Sequence, residues 1–301
     1  MVYLVVSVVL SVEKEKGMNV YDDDVIRSLK ANGGALKKLV KHERNNLVIN
    51  TKGAYYYKDK TGKYQLLTGL LPRLRKTFYP DLNIYNLLKK QPNALPRMTK
   101  RRKIALARHG TPVKKKKKVS SSKGMFYGRI RGTIVHEEVE DFIFLNAEAF
   151  RKKHPTIHVY TQRIMTFIME TMNWRLVRSE FNLCDERLGI GTSVDIVAVT
   201  NEGKVVLIEV KCGFTDYFDH HDGYMHGTLR KLTNSPHHQA DLQLITEALL
   251  IVKNHHLSLG DLLLYVIRVD DHGLYHHKIN NDYVQKKGPK IYNDLVATMA
   301  N

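Results

Sequence analysis

The stretch Gly191-Thr-Ser-Val-Asp195-Ile-Val-Ala-Val-Thr-Asn201-Glu-Gly203-Lys-Val-Val-Leu-Ile-Glu209-Val-Lys211 constrains the fold more than any other part of the chain. Two runs rich in β-branched residues flank Asn201-Glu-Gly203, which predicts two strands joined by a tight turn. The first strand carries one acid, Asp195, among apolar residues, and the second ends in Glu209-Val210-Lys211. Side chains alternate along a strand, so Glu209 and Lys211 share one face and Val210 takes the other. Acids and a lysine are costly to place in such apolar strands unless they are paired or hold a metal. The hairpin therefore predicts two carboxylates and an amine converging at one edge of a sheet.

Composition narrows the partners. The 301 residues allow one large domain or a core with an added module, and 43% hydrophobic content supports a packed core. A formal net charge of +18 and a pI near 9.7 favour a polyanion. Nucleic acid is expected over a membrane, because no apolar run in the body of the chain is long enough to span a bilayer. Cys184 and Cys212 are the two cysteines, which excludes a disulfide framework and suits a reducing compartment. They are too few to hold a four-cysteine zinc or iron–sulfur centre alone. The apolar start, Met1 to Val12, lacks a basic region before it and meets Glu13-Lys-Glu-Lys16 directly. It reads as a strand rather than a secretory signal.

Three regions are expected. Residues 1–95 read as an N-terminal α+β region of unknown role, with strands at Ala54–Asp59 and Lys63–Leu67 and short helices at Leu67–Tyr79 and Leu82–Lys90. Residues 96–124 hold Lys100-Arg-Arg-Lys103, Lys114 to Lys118 and Ser120-Ser-Ser122, and read as a flexible basic linker. Its two basic clusters fit nuclear import or a sequence-blind phosphate contact, against the plainer reading of a solvated charge run. Residues 125–301 alternate helices and strands: Gly132–Lys153, Tyr160–Glu170, a strand at Arg175–Leu183, the hairpin, a helix at His237–Asn254, strands at Leu262–Val269 and Leu274–Ile279, and a helix at Asn281–Met299. This order predicts an α/β fold with a mixed central sheet flanked by helices.

The chemistry of Asp195, Glu209 and Lys211 fits phosphodiester hydrolysis. Mg²⁺ or Mn²⁺ held by carboxylate oxygens can activate a water and neutralise charge on phosphorus. A neighbouring lysine can orient that water, help to deprotonate it, or stabilise developing charge. Glu-x-Lys on an exposed strand is usually a solvated pair. The buried-strand flanks, and the acid at the matching place on the preceding strand, weigh against that reading here.

A wider set of motifs follows the same order along the chain. They are Gly132-Thr133-Ile-Val-His136-Glu-Glu-Val-Glu140, then Ser179-Glu180, Gly191-Thr-Ser-Val-Asp195, Glu209-Val-Lys211, and His238-Gln239-Ala-Asp-Leu-Gln243. This layout resembles the PD-(D/E)xK nucleases, within them the RecB-like exonuclease branch, and is similar to mitochondrial genome maintenance exonucleases and viral recombination nucleases. The resemblance covers residues 125 to 270 and implies a restriction-endonuclease-like core. It implies that Asp195, Glu209, Glu180 and His136 surround the metal, Mg²⁺ or Mn²⁺, with Lys211 and Gln243 as further catalytic residues. Glu140 is expected as a structural partner of His136. Gln239 competes with Gln243, since both lie on one helix face; apolar Leu242 and Leu244 frame Gln243. The family's usual tyrosine four residues after the glutamine is absent here, where Gln243 leads to Glu247.

The function expected is therefore a metal-dependent deoxyribonuclease, working as an exonuclease on single strands or duplex ends, with RNA as an alternative substrate. Phe214, Tyr217, Phe218 and Tyr224 offer base stacking or, equally, core packing. The alternatives are a non-catalytic basic nucleic-acid-binding protein on a nuclease scaffold, and a structure- or sequence-specific endonuclease. No membrane partner and no iron–sulfur cluster are expected. An intracellular setting is expected, with the nucleus favoured and the mitochondrion compatible. The pairs His220-His221, His237-His238, His255-His256 and His276-His277 match no zinc-finger spacing and read as surface and loop histidines.

Overall fold

A computed structural model describes residues 39, 47–49, 55–58, 63–79, 121–213, 218, 223–255 and 257–298. The expected strand at Met1–Val12, the helix at Leu82–Lys90, the basic clusters up to Ser120, and Phe214 and Tyr217 lie outside the described residues.

The chain begins with three short strands, β1 (Leu47–Ile49), β2 (Tyr55–Lys58) and β3 (Tyr64–Gly69), followed by α1 (Leu70–Phe78). Next come α2 (Ser121–Phe144), α3 (Ala147–Lys153) and α4 (Val159–Thr166), the last continuing as a π turn over Phe167–Thr171. Then follow β4 (Arg175–Asp185), β5 (Ile190–Val199), β6 (Val205–Cys212), α5 (Pro236–His255), β7 (Leu262–Val269), β8 (Leu274–Ile279) and α6 (Asn281–Ala297). Among the described residues no helix is long and apolar enough to cross a membrane.

The strands form one eight-stranded sheet in the order β1-β2-β3-β5-β6-β7-β8, with β4 also paired to β5. The sheet is mixed: β3–β5 and β6–β7 are parallel and the remaining pairs antiparallel. One edge of β5 is taken by β4 along its length, from Arg175↔Val199 to Asp185↔Ile190. The other edge is divided. β3 occupies its start, at Ile190 and Gly191, and β6 occupies its end, from Ile196 to Val199. Residues 192–195 lie between those two partners, so the sheet forks at Asp195.

Alternation along β6 builds two cores, one on each side of the sheet. Val205 and Leu207 join a core lined by α1, α5 and α6, with Leu74, Leu244 and Ile291 fully buried. Val206, Ile208 and Val210 join the opposite core against α2 and α4, with Val135, Ile143 and Ile164. The expected mixed sheet flanked by helices is thus present. Leu70, Leu74 and Phe78 of α1 belong to the same core as α5 and α6, so the boundary expected between residues 1–95 and the rest does not separate two cores.

Several element boundaries differ from expectation for identifiable reasons. The helix expected over Gly132–Lys153 starts at Ser121 and breaks at Leu145, because the Asn146 side chain accepts the Ala149 amide and caps a new helix. Its start places Ser121 to Gly124, assigned to the linker, inside α2. The turn of the hairpin closes as predicted, with Gly203 at φ +80 and its amide donating to the Thr200 carbonyl.

Candidate metal and hydrolytic site

Asp195 sits one residue before the last β5–β6 rung, Ile196↔Ile208. Its Oδ2 accepts the Val210 amide at 2.7 Å, which fixes the carboxylate across the fork. The face alternation of β5 breaks at this point. Val194 packs on the α5 side, Ile196 on the α2 side, and Val197 on the α5 side again.

On the α2 side, His136 Nδ1 lies 2.9 Å from Glu180 Oε1 and 3.7 Å from Asp195 Oδ1. Ser193 donates to the other Glu180 oxygen at 2.8 Å. Ligand atoms of His136, Glu180 and Asp195 all lie within 4.8 Å of one another, an arrangement able to hold a cation. Glu180 adopts φ +48, a left-handed conformation rare for a residue with a side chain. Its rung with Asp195 is missing: Ser179 pairs with Ile196 and Phe181 with Val194, but the two acids between them do not pair. Such strain persists where surrounding structure enforces it. Here it accompanies the Glu180 carboxylate contact with His136. Burial opposes charge on His136, but Asp195 and Glu180 outweigh it and raise its pKa to about 9. Glu140, expected as the partner of His136, is exposed on α2, and Glu180 takes that place.

On the α5 side, Glu209 is fully buried and bonds Lys211 through Oε1. Lys211 also donates to Gln243 Oε1 at 3.2 Å, and Gln243 Nε2 donates to Glu247 Oε1 at 3.2 Å. Thr192 donates to the same Glu247 oxygen at 3.0 Å. Gln243 is thus the glutamine that meets Lys211, while Gln239 donates to Asn234.

Glu247 is a site residue that sequence reasoning missed. Its signal was present: an acid four residues after Gln243, on the same helical face. Burial, and then the neighbouring Glu209 and Asp195, push its pKa well up. Glu209 is raised for the same first reason, burial, with Asp195 adding and Lys211 opposing. Lys211 is also raised, since Glu209 and Asp195 outweigh its burial. Carboxylate neighbours act in the same direction on all three, adding to burial at Glu209 and Glu247 and overcoming it at Lys211.

Two buried oxygens, Glu209 Oε2 and Glu247 Oε2, have no hydrogen-bond partner among the described residues. A carboxylate oxygen left so is expensive unless it is protonated or meets a cation. The His136–Glu180–Asp195 group and the two unpartnered oxygens each suit a cation that takes oxygen ligands. Glu209 stands outside the tight trio and faces the other side of the fork, with Asp195 between them.

Arg131 holds the approach of α2. Its guanidinium donates to the Tyr160 hydroxyl at 2.8 Å and to Asp271 at 2.9 Å, tying α2 to α4 and to the turn before β8. Of the aromatics expected near nucleic acid, Phe218 is buried and Tyr224 is 66% exposed. The expectation of surface and loop histidines fails at His255, which is buried in α5, whereas the partly exposed His237 and His277 converge on Asp241. Neither a family model nor a characterised protein matches the chain in sequence.

Proposed function

We propose that the protein is a metal-dependent DNA nuclease with a restriction-endonuclease-like core, acting as an exonuclease. The observation that carries this reading is the fork itself. Asp195 is clamped to the Val210 amide, and next to it the Glu209–Lys211 pair holds a buried carboxylate oxygen with no partner among the described residues. The charge of +18 supports a polyanionic substrate.

Asp195 and Glu209 would hold Mg²⁺ or Mn²⁺, with His136 and Glu180 completing the α2 side. When bound, the ion supplies charge neutralisation at the phosphate and a polarised water. Lys211 is an ammonium held by Glu209 and Gln243, and it would serve as a donor to the developing negative charge. Gln243 fixes the direction of that donor, and Glu247 fixes Gln243.

End-labelled linear and closed circular DNA, incubated with Mg²⁺, Mn²⁺ or EDTA, test the proposal. Cleavage of linear DNA is expected with metal and not with EDTA. Asp195→Ala and Lys211→Ala are each expected to lose roughly 10²–10³-fold or more. No metal-dependent cleavage of DNA or RNA, or cleavage indifferent to both substitutions, overturns it. Cleavage of closed circles reassigns the activity to an endonuclease.

A further inference from the structure

A second group of ligands lies on the other side of α5 from Gln243. His237 and Asp241 are one turn apart at the start of α5, and His277 comes from β8, the strand at the end of the sheet. His277 shares the β8 face with Ile279, which packs in the α5-side core. Both imidazoles direct Nε2 at the same carboxylate: His277 lies 2.6 Å from Asp241 Oδ1 and His237 3.6 Å from Oδ2. The two rings stack at 4.5 Å with an interplanar angle of 28°. All three ligand atoms fall within 4.8 Å of one another.

We propose that His237, Asp241 and His277 form a transition-metal site of the zinc class, distinct from the fork. Ligand atoms about 2 Å from a tetrahedral Zn²⁺ are separated by roughly 3.3 Å. His277 lies 2.6 Å from Oδ1 and His237 3.6 Å from Oδ2, and all three ligand atoms lie within 4.8 Å, so modest side-chain rotations would bring them to that spacing. Two imidazoles with one carboxylate favour Zn²⁺ or Co²⁺ over Mg²⁺, which prefers oxygen. All three residues are partly exposed, leaving a fourth position for water. The Arg268 guanidinium, which acts on His237 through space, lies over the Phe218 and Tyr275 rings. A bound ion would clip the first turns of α5 to β8, and so steady the helix that presents Gln243 and Glu247.

Co²⁺ titration of the metal-free full chain provides the test, with Asp195→Ala, the double variant His237→Ala/His277→Ala, and Asp241→Asn. One equivalent of Co²⁺ is expected to give visible d–d bands in wild type and in Asp195→Ala, bleached by Zn²⁺. The double variant is expected to lose the bands, and Asp241→Asn to bind at least tenfold more weakly with its metal-free Tm unchanged. Zn²⁺ a hundredfold above its Kd is expected to raise Tm by roughly 5 °C, and Mg²⁺ not to do so in Asp195→Ala. Absence of bands in wild type, bands retained in the double variant, or bands lost in Asp195→Ala overturns the proposal. Failure of DNA cleavage leaves these readouts unaffected, so the two proposals fail separately.

Discussion

The Asp195 carboxylate accepts the Val210 amide at 2.7 Å, one position beyond the last rung between β5 and β6. One oxygen therefore serves the backbone and the other faces His136. Asp195→Asn keeps an acceptor for the amide but removes the charge. Metal-free Tm is expected to change by little, while the Tm rise produced by Mn²⁺ disappears. Thermal melts with EDTA and with Mn²⁺ check this. A large loss of metal-free stability would mean that the carboxylate's charge, rather than its hydrogen bond, holds the fork.

Glu180 occupies the left-handed region at φ +48, where glycine is at ease. Glu180→Gly is expected to relieve about 1 kcal/mol of strain and to abolish the contact with His136. Glu180→Ala loses the contact without the relief. Denaturant melts of the two variants should differ in that order, with nuclease activity reduced in both.

Glu247 links stability to pH. Its folded pKa is raised, mainly by burial and then by Glu209 and Asp195. The acid therefore contributes stability while protonated, and that contribution is lost as pH rises from the ordinary carboxylate value of about 4.5 toward the folded value. Glu247→Gln removes the charge and keeps an acceptor for Thr192 and Gln243. In EDTA at pH 8, the variant is expected to melt higher than wild type, with the difference shrinking below pH 5. A pH series of melts decides it.

Gly191 has no room for a side chain. A Cβ there would meet the Tyr55 ring at 2.7 Å. Gly191→Ala is expected to cost about 1–3 kcal/mol by overpacking, and Tyr55→Gly in the same chain, which removes both the Cβ and the ring it meets, to recover part of it. A double-mutant cycle of unfolding free energies measures the coupling.

Much of this architecture was legible from local pattern. Apolar runs around Asn201-Glu-Gly203 defined the hairpin, and the 3.6-residue stripe of Val135 and Val139 placed His136 on α2. What escaped was non-local or conformational. The rung Thr68↔Ile190 joins distant segments, and nothing near residue 68 announces it. Glutamate has no preference for positive φ, so the twist at Glu180 left no trace in its identity. Glu247 looked like an ordinary helical acid, because burial of a charge depends on what faces it. The zinc-class trio was hidden similarly, since His277 meets Asp241 only through sheet order.

The divided edge of β5 also governs what a broken chain would do. β3 supplies a rung at Ile190–Gly191, and α1 seats Leu74 and Phe78 among the α5 and α6 side chains. Residues 1–120 and 121–301, produced as separate polypeptides and mixed, should therefore co-elute, as in fragment complementation. Residues 121–301 produced alone would lack those partners, and should melt at a lower temperature until the missing piece is added back.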